Sequence, residues 1–310
     1  MESKAILIVG SLNMDFVVQT ASLPARGETV SGWGFQMLPG GKGANQACAV
    51  GRLGGRGEMV GCVGDDVFGL QLIASLQSAG VNTTGIRSVS EAATGIAMIS
   101  IEEGGQNTIV VAAGANHQLE PHETARAVRS SQAGYLLLQL ESPMATVEAA
   151  AQAKARGMMV ILDPAPAEPL SESLLRNTDI LTPNESEAFA LLGLEGSSVS
   201  LNDAPAIARR LLDLGPRQVI LKMGEKGAHL ADNHSNQHYP AARVKAVDAT
   251  AAGDCFNGAL AVMLAEGRTV DEAIRFANCA AAVAVTRLGA QASIPTRMEV
   301  EAMMAEQNNG

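Results

Sequence analysis

Short apolar runs alternate with amphipathic stretches from one end of this chain to the other. The runs AILIV (5–9), YLLLQL (135–140), MMVILD (158–163) and RQVILKMG (217–224) have the length and aliphatic content of strands buried on both faces. Between them, DDVFGLQLIASLQSAG (65–80), SPMATVEAAAQAKARG (142–157) and LNDAPAIARRLLDLG (201–215) repeat apolar residues at helical spacing and end on glycine, a common helix stop. This alternation predicts an α/β fold: a doubly wound, mostly parallel sheet sandwiched by helices, with residues 1–310 as one domain. Two regions break the rhythm. Residues 15–38 and 94–112 carry strand patterns around Pro-Ala-Arg-Gly and Glu-Glu-Gly-Gly-Gln turns with no helix between, and they read as hairpins of a small inserted sheet. A sheet near the carboxyl ends of the main strands is placed to act as a lid, because open α/β sheets bind ligands there. No repeat or long linker is visible, and only AEQNNG (305–310) reads as frayed.

Composition narrows the partners. With 47% hydrophobic residues and 17% charged ones, the chain can bury a large core. Its formal net charge is -10 and its 22 Lys and Arg form no cluster, which argues against nucleic acid or an anionic membrane surface and for a small-molecule ligand. Cys48, Cys62, Cys255 and Cys279 are too scattered for a zinc site or redox pair and read as small apolar residues in a reducing compartment. The apolar run before Gly10 is too short for a signal peptide or membrane span, so a cytoplasmic protein is expected.

Two stretches carry candidate chemistry. In PGGKGANQACAVGRLGG (39–55), glycines surround Lys42 and a helical pattern follows. Such a turn can aim free N–H groups at an anion, or can be a plain tight turn into a helix. It is not a Walker A loop, which needs Ser or Thr after Gly-Lys, whereas Gly43 follows Lys42. In VDATAAGDCFNGAL (247–260), the helical spacing of Phe256, Leu260 and Leu264 puts the amides of Ala251, Ala252 and Gly253 at a helix N-terminus. Developing negative charge would be stabilised there. Asp254 is then either a general base facing that point or a helix N-cap.

Together with GSLNMD (10–15), LQLESP (138–143), DPAPA (163–167), TPNESEA (182–188), MGEKGA (223–228) and AVTRLGAQASIP (284–295), these stretches resemble the ribokinase-like (PfkB-type) carbohydrate kinases, in order from about residue 5 to about residue 300. The resemblance implies ATP-dependent phosphorylation of D-ribose at its 5-hydroxyl, with Asp254 as base and residues 251–254 as the anion hole. It assigns the sugar to Asn13, Asp15, Gly41, Lys42, Asn45 and Glu141, and the nucleotide with its Mg²⁺ to Asn184, Glu187, Lys222, Gly224, Gly227, Gly253 and Asn278. It places a monovalent cation, K⁺, at Asp248, Thr250, Ala284, Arg287, Gly289 and Ser293, mostly through backbone carbonyls, and it implies a homodimer formed through the lid sheet. Two positions depart from the family's usual Asp-Thr-Thr-Gly-Ala-Gly-Asp: Ala249 lacks a hydroxyl, and Ala251 stands for glycine.

The rival readings are a sister kinase acting on deoxyribose, a nucleoside or a sugar phosphate, and a non-catalytic binding protein on the same scaffold. A dinucleotide-dependent dehydrogenase would need Gly-x-Gly-x-x-Gly after the first strand, and VGSLNMD lacks it.

Overall fold

The computed structural model describes residues 3–104, 106–152 and 157–308. The chain opens with β1 (Ile6–Val9), passes into a hairpin of β2 (Asn13–Thr20) and β3 (Gly32–Gly40), and enters α1 (Lys42–Arg52). There follow β4 (Gly57–Gly64), α2 (Val67–Ser78), β5 (Asn82–Val89), a second hairpin of β6 (Gly95–Glu102) and β7 (Asn107–Ala112), and a 3-10 turn at Gly114–Gln118. Then come α3 (Pro121–Ser130), β8 (Tyr135–Leu138), α4 (Met144–Ala151), β9 (Met159–Leu162), α5 (Glu172–Asn177), β10 (Ile180–Leu181), α6 (Glu185–Leu192) and α7 (Ala204–Leu212). The last part holds β11 (Gln218–Lys222), β12 (Ala228–Ala231), β13 (Asn236–Tyr239), α8 (Ala252–Ala265), α9 (Val270–Ala284) and α10 (Arg297–Asn308).

Nine strands form the main sheet in the order β13-β12-β11-β10-β9-β8-β1-β4-β5. From β11 to β5 every pairing is parallel; β12 and β13 add an antiparallel edge that the apolar pattern did not predict. Side chains alternate across each strand. Ile6 and Ile8 therefore join a core under α1, α2, α8 and α9, while Leu7 and Val9 join another under α3, α4, α5 and α7. All four β1 residues are buried, as a central parallel strand requires. The two hairpins pair through β2 and β6, in parallel, into a separate sheet ordered β3-β2-β6-β7, as the strand patterns at 15–38 and 94–112 led one to expect. Gly105, in the second hairpin's turn, lies outside the described residues.

Helix boundaries follow the sequence closely, with two differences. The 142–157 pattern is helical over Met144–Ala151, and residues 153–156 lie outside the described part. The supposedly frayed tail is helical through Asn308 as the end of α10, with Val300 buried in the first core. The four cysteines are all buried and unbridged.

The strand order also arranges the chemistry. Reading across the neighbouring parallel strands β11, β10, β9, β8 and β1, the residues at or just past their carboxyl ends include Lys222, Asn184, Asp163, Glu141 and Asn13.

Candidate active site

At the start of α1 the chain turns from β3 into the helix at Gly41, whose φ of 89° lies in the left-handed region. A Cβ there would also stand 2.7 Å from the Asn13 nitrogen, so only glycine lets this turn seat against the end of β1. The helix's first amides do not wait for a ligand. Lys42 N donates to Glu141 Oε2 at 3.0 Å, Gly43 N to Ser11 Oγ at 3.4 Å and Ala44 N to Ser11 O at 2.9 Å. Ser11 Oγ also donates to Glu141 Oε2, at 2.5 Å. The anion at this helix start is thus the protein's own Glu141 carboxylate, and the plain-turn reading holds for the backbone.

The side chains around it supply the polar set. Asn13 and Asp15 are buried on β2 and Asn45 is buried on α1. Asn116, in the 3-10 turn, donates from Nδ2 to Asn13 Oδ1 at 2.8 Å and to Leu12 O at 3.1 Å, while its Oδ1 accepts from Leu12 N at 2.9 Å. That grip uses the Asn13 carbonyl and leaves its N–H₂ as the group offered to a ligand. Burial, then the fields of Glu141 and Asp254, push the Asp15 carboxyl up to about 7, with Lys42 pulling the other way. Burial disfavours the Lys42 ammonium, but Asp254, Glu141, Asp163 and Glu187 together hold its pKa above the usual lysine value.

The start of α8 is built differently. Ala251 is its N-cap residue, at φ 59° and ψ 11°, the one non-glycine with positive φ among the described residues. Ala252 N donates to Ala249 O at 3.2 Å and Cys255 N to Ala251 O at 2.8 Å. Among the described residues the Ala251, Gly253 and Asp254 amides have no backbone acceptor. So the anion hole expected from residues 251–254 narrows: the Ala252 amide is spent inside the turn, and three amides remain open. Asp254 is not the cap. Its buried carboxylate accepts from Asn45 Nδ2 at 3.0 Å on Oδ2 and from Gln46 Nε2 at 3.1 Å on Oδ1. Burial raises its pKa to about 6 against the opposing pull of Lys42 and the two amide donors, with Asp163 adding to the rise.

A cavity of about 470 Å³ joins Lys42 and Asp254 to Asp163, Asn184, Glu187, Lys222, Gly224 and Gly253. Lys222 Nζ pairs with Asp163 Oδ1 at 2.8 Å and stands 3.3 Å from where a Cβ on Gly253 would lie. Asn184 caps α6: its Oδ1 accepts from Glu187 N at 2.8 Å, while Glu187 accepts from Asn184 N at 2.7 Å and Nδ2 at 2.8 Å. Glu187 is buried, not a surface acid. Burial raises its pKa, and Lys222 opposes that rise.

The remaining nucleotide- and cation-assigned residues are not among those that line this cavity. Asn278 is buried and donates to Tyr239 O at 3.1 Å and Pro240 O at 3.3 Å, while Gly227 lies against the Tyr239–Ala241 backbone. Both support the end of β13. Asp248 ties the 247–250 loop to the 284–293 loop: its Oδ1 accepts from Thr250 N (2.9 Å) and Oγ1 (2.6 Å), and its Oδ2 from Gly289 N (2.8 Å). Arg287 pairs with Glu299 at 2.5 Å, its N–H bonds Ala284 O at 3.1 Å, and the Ser293 hydroxyl donates to Ala290 O at 2.8 Å. No group of three His, Cys, Asp or Glu among the described residues could hold a metal. The assigned donors are carbonyl, hydroxyl and single-carboxylate oxygens, a set compatible with a hard cation.

The sequence reading missed Asp163, Gln46, Ser11 and Asn116. Asp163 had a signal: an acid directly after a buried strand that ends at the binding edge. Gln46 lies one helical turn past Lys42, but nothing in its type points to a site.

A buried carboxylate beside three open amides, close to a polar set suited to hydroxyl groups, is an arrangement compatible with phosphorylating an alcohol. Comparison with known proteins agrees. The chain is 41% identical over 298 residues to a ribokinase of Haemophilus influenzae, covering 96% of this chain and 97% of that one. It is 37% identical over 294 residues to a deoxyribokinase of Salmonella typhimurium, covering 94% and 95%. The structure of Arabidopsis thaliana ribokinase complexed with ribose and ATP superposes with a TM-score of 0.89 at 35% identity, covering 97% of this chain and 99% of that one. The pfkB family of carbohydrate kinases matches residues 3–297, and the chain belongs to that family.

Proposed function

We propose that this carbohydrate kinase transfers the γ-phosphoryl group of ATP to the 5-hydroxyl of D-ribose, yielding ribose 5-phosphate and ADP. The observation that carries the reading is the Asp254 carboxylate, buried, held on both oxygens by Asn45 and Gln46, and set at the same helix start as three open amides. A hydroxyl presented to Asp254 gives it a proton as the new O–P bond forms and the bond from Pγ to the bridging oxygen breaks, with ADP leaving. The Gly253 and Asp254 N–H groups and the Lys42 ammonium face the charge that gathers on the transferred group. Lys222, at the cavity's other wall, suits the phosphate chain of the nucleotide.

The sugar is recognised by complementary polarity. The Asn13 N–H₂ donates, Asp15 and the second Glu141 oxygen accept, and a polyhydroxylated ring offers both roles. The small sheet, which carries Asn13 and Asp15, acts as the lid that excludes water. Its Trp33, Phe35, Met37 and Val110 are exposed, an apolar surface suited to a second copy of the chain, and this is the face through which a homodimer forms. Asn184 and Glu187 are the residues that fit the Mg²⁺ of Mg-ATP, through its bound water. The loops joined by Asp248 fit K⁺, which would stiffen the start of α8; a K⁺-free buffer with a bulky organic cation should then slow turnover. No helix among the described residues is long and apolar enough to cross a membrane, and we place the enzyme in the cytoplasm.

Release of ADP measured over a panel of pentoses, nucleosides and sugar phosphates tests the reading. D-ribose should lead, with 2-deoxyribose behind it by roughly 5- to 150-fold in kcat/KM, because the missing hydroxyl leaves a buried partner unpaired. A ratio at or below unity would move the assignment to a deoxyribokinase.

A further inference from the structure

Asp254 and Asp163 are buried acids on different elements, and neither has a backbone donor to its carboxylate among the described contacts. One side chain lies between them. Gln46, itself fully buried on α1, directs its single N–H₂ to Asp163 Oδ2 and Asp254 Oδ1, each at 3.1 Å. Both acceptors are carboxylates, so the amide can present only its nitrogen there, and its oxygen must face the opposite way. In that direction Gln139 Nε2 donates to Gln46 Oε1 at 2.7 Å. Gln139 in turn has its own oxygen buried without a partner, packed so closely over Gly10 that a Cβ at that position would lie 2.1 Å away. An unpaired buried carbonyl destabilises the fold, and what accompanies it here is the donor that the same side chain supplies to Gln46 Oε1.

From these contacts we infer that Gln46 is a positioning residue for the phosphoryl transfer: oriented by Gln139, it fixes the carboxylate of Asp254 and links it to the Asp163–Lys222 ion pair on the nucleotide side. Each Asp254 oxygen then accepts one amide donor, Asn45 on one side and Gln46 on the other, and the plane of the carboxylate is set before the sugar arrives. On the far side of Asp163, Lys222 holds the other oxygen, so three side chains join the mouth of the nucleotide cavity to the base. This inference rests on the reaction proposed above. Gln46 touches neither substrate; its effect passes through Asp254.

The test is Gln46→Met, which keeps length and burial but has no N–H to donate. Besides Gln46, the charged groups acting on Asp254 are Lys42 of α1, Asp163 after β9 and Asp15 of β2. All remain in the variant, so loss of the amide donor should move the acidic limb of the kcat/KM profile to higher pH. Expected are a fall in kcat of about 10- to 100-fold, a KM for ribose within about 3-fold of wild type, and that upward shift of the limb. Gln139→Met removes the donor to Gln46 Oε1 while both carboxylates still favour the Gln46 nitrogen, so it should show the same shift, smaller; one unpaired buried oxygen replaces another, and the thermal midpoint should stay close to wild type. An unmoved limb with kcat within about 3-fold in Gln46→Met overturns the inference, as does a parallel loss of kcat and ribose affinity without a shift. Should Gln46→Met not fold, Gln139→Met decides alone: a wild-type limb and kcat there overturn it. Wild-type enzyme that releases no ADP with any pentose would instead sink the reaction itself.

Discussion

The starts of α1 and α8 look alike in sequence: small residues, a charged side chain, then a helix. In α1 the charged side chain is Lys42 and the first amides are consumed by Glu141 and Ser11, residues from other strand ends. In α8 the charged side chain is Asp254, its carboxylate is held by the α1 residues Asn45 and Gln46, and the amides of Ala251, Gly253 and Asp254 stay open. A helix terminus attracts negative charge in both cases. The first is filled by the protein's own side chains and, in the proposed reaction, carries those that would hold the sugar. The second is left open, where the same proposal puts the charge that gathers during transfer. Small-residue helix starts therefore do not by themselves mark phosphate sites; what decides is whether another part of the fold reaches the amides first.

The contrast can be broken most severely at the base. Asp254→Asn should fold and bind ATP while kcat falls by at least about 100-fold, measured by ADP release alongside calorimetric ATP titration. Near-normal turnover with intact binding would remove Asp254 from its role. In wild type, activity should fall as pH drops below about 6, because the base must be unprotonated.

Next in size is Glu141→Ala, which would free the Lys42 amide at the start of α1 while Ser11 still holds those of Gly43 and Ala44. Ribose kcat/KM should drop about 10- to 100-fold through KM, with KM for ATP little changed. Inorganic phosphate should inhibit the variant competitively against ribose and leave the wild type unaffected, when both are titrated with phosphate in parallel. Absence of phosphate inhibition in the variant would show that the closed and open termini differ by more than Glu141.

A smaller effect concerns stability. Asp15 and Asp254 reach about 7 and about 6 in the folded chain, from 3.8. The folded state keeps protons that the unfolded chain releases, so these groups cost stability as pH rises from about 4 to about 7. Asp15→Asn should therefore melt higher than wild type near pH 7 and lose most of that advantage near pH 4. Equal melting differences at both pH values would contradict the burial of this acid.

The smallest effect belongs to Ala251. Its left-handed backbone costs about 1–2 kcal/mol that glycine avoids, but glycine loses about 0.5–1 kcal/mol more in chain entropy. Ala251→Gly should shift stability by no more than about 1 kcal/mol, upward, and preserve turnover; a large loss of activity would mean the methyl group itself shapes the anion hole.

Sequence patterning reached the parallel sheet, the inserted hairpins and the helix start at Asp254, because those depend on local periodicity and turn chemistry. It did not reach the closing of α1. Ser11, Lys42 and Glu141 are separated by long stretches of chain and meet only through the β8-β1 adjacency. Asn116 and Gln46 escaped for a related reason: an uncharged amide announces nothing by type, and its meaning lies in which partners the fold turns toward it. The antiparallel edge was hidden because AHLA and NQHY are short and carry little apolar pattern.

The first hairpin has almost no linker at its root. β1 ends at Val9 and β2 begins at Asn13; β3 ends at Gly40 and α1 begins at Lys42. Any tilt of the hairpin against the main sheet must be absorbed by residues 10–12 and by Gly41, the backbone on which Asn13 and Lys42 are mounted. Pivot and sensor are then the same few peptide units. If the sugar binds at Asn13, Asp15 and Lys42 as proposed, it would clamp the lever at its fulcrum, and the angle of the small sheet and the occupancy of the sugar site would behave as one mechanical variable.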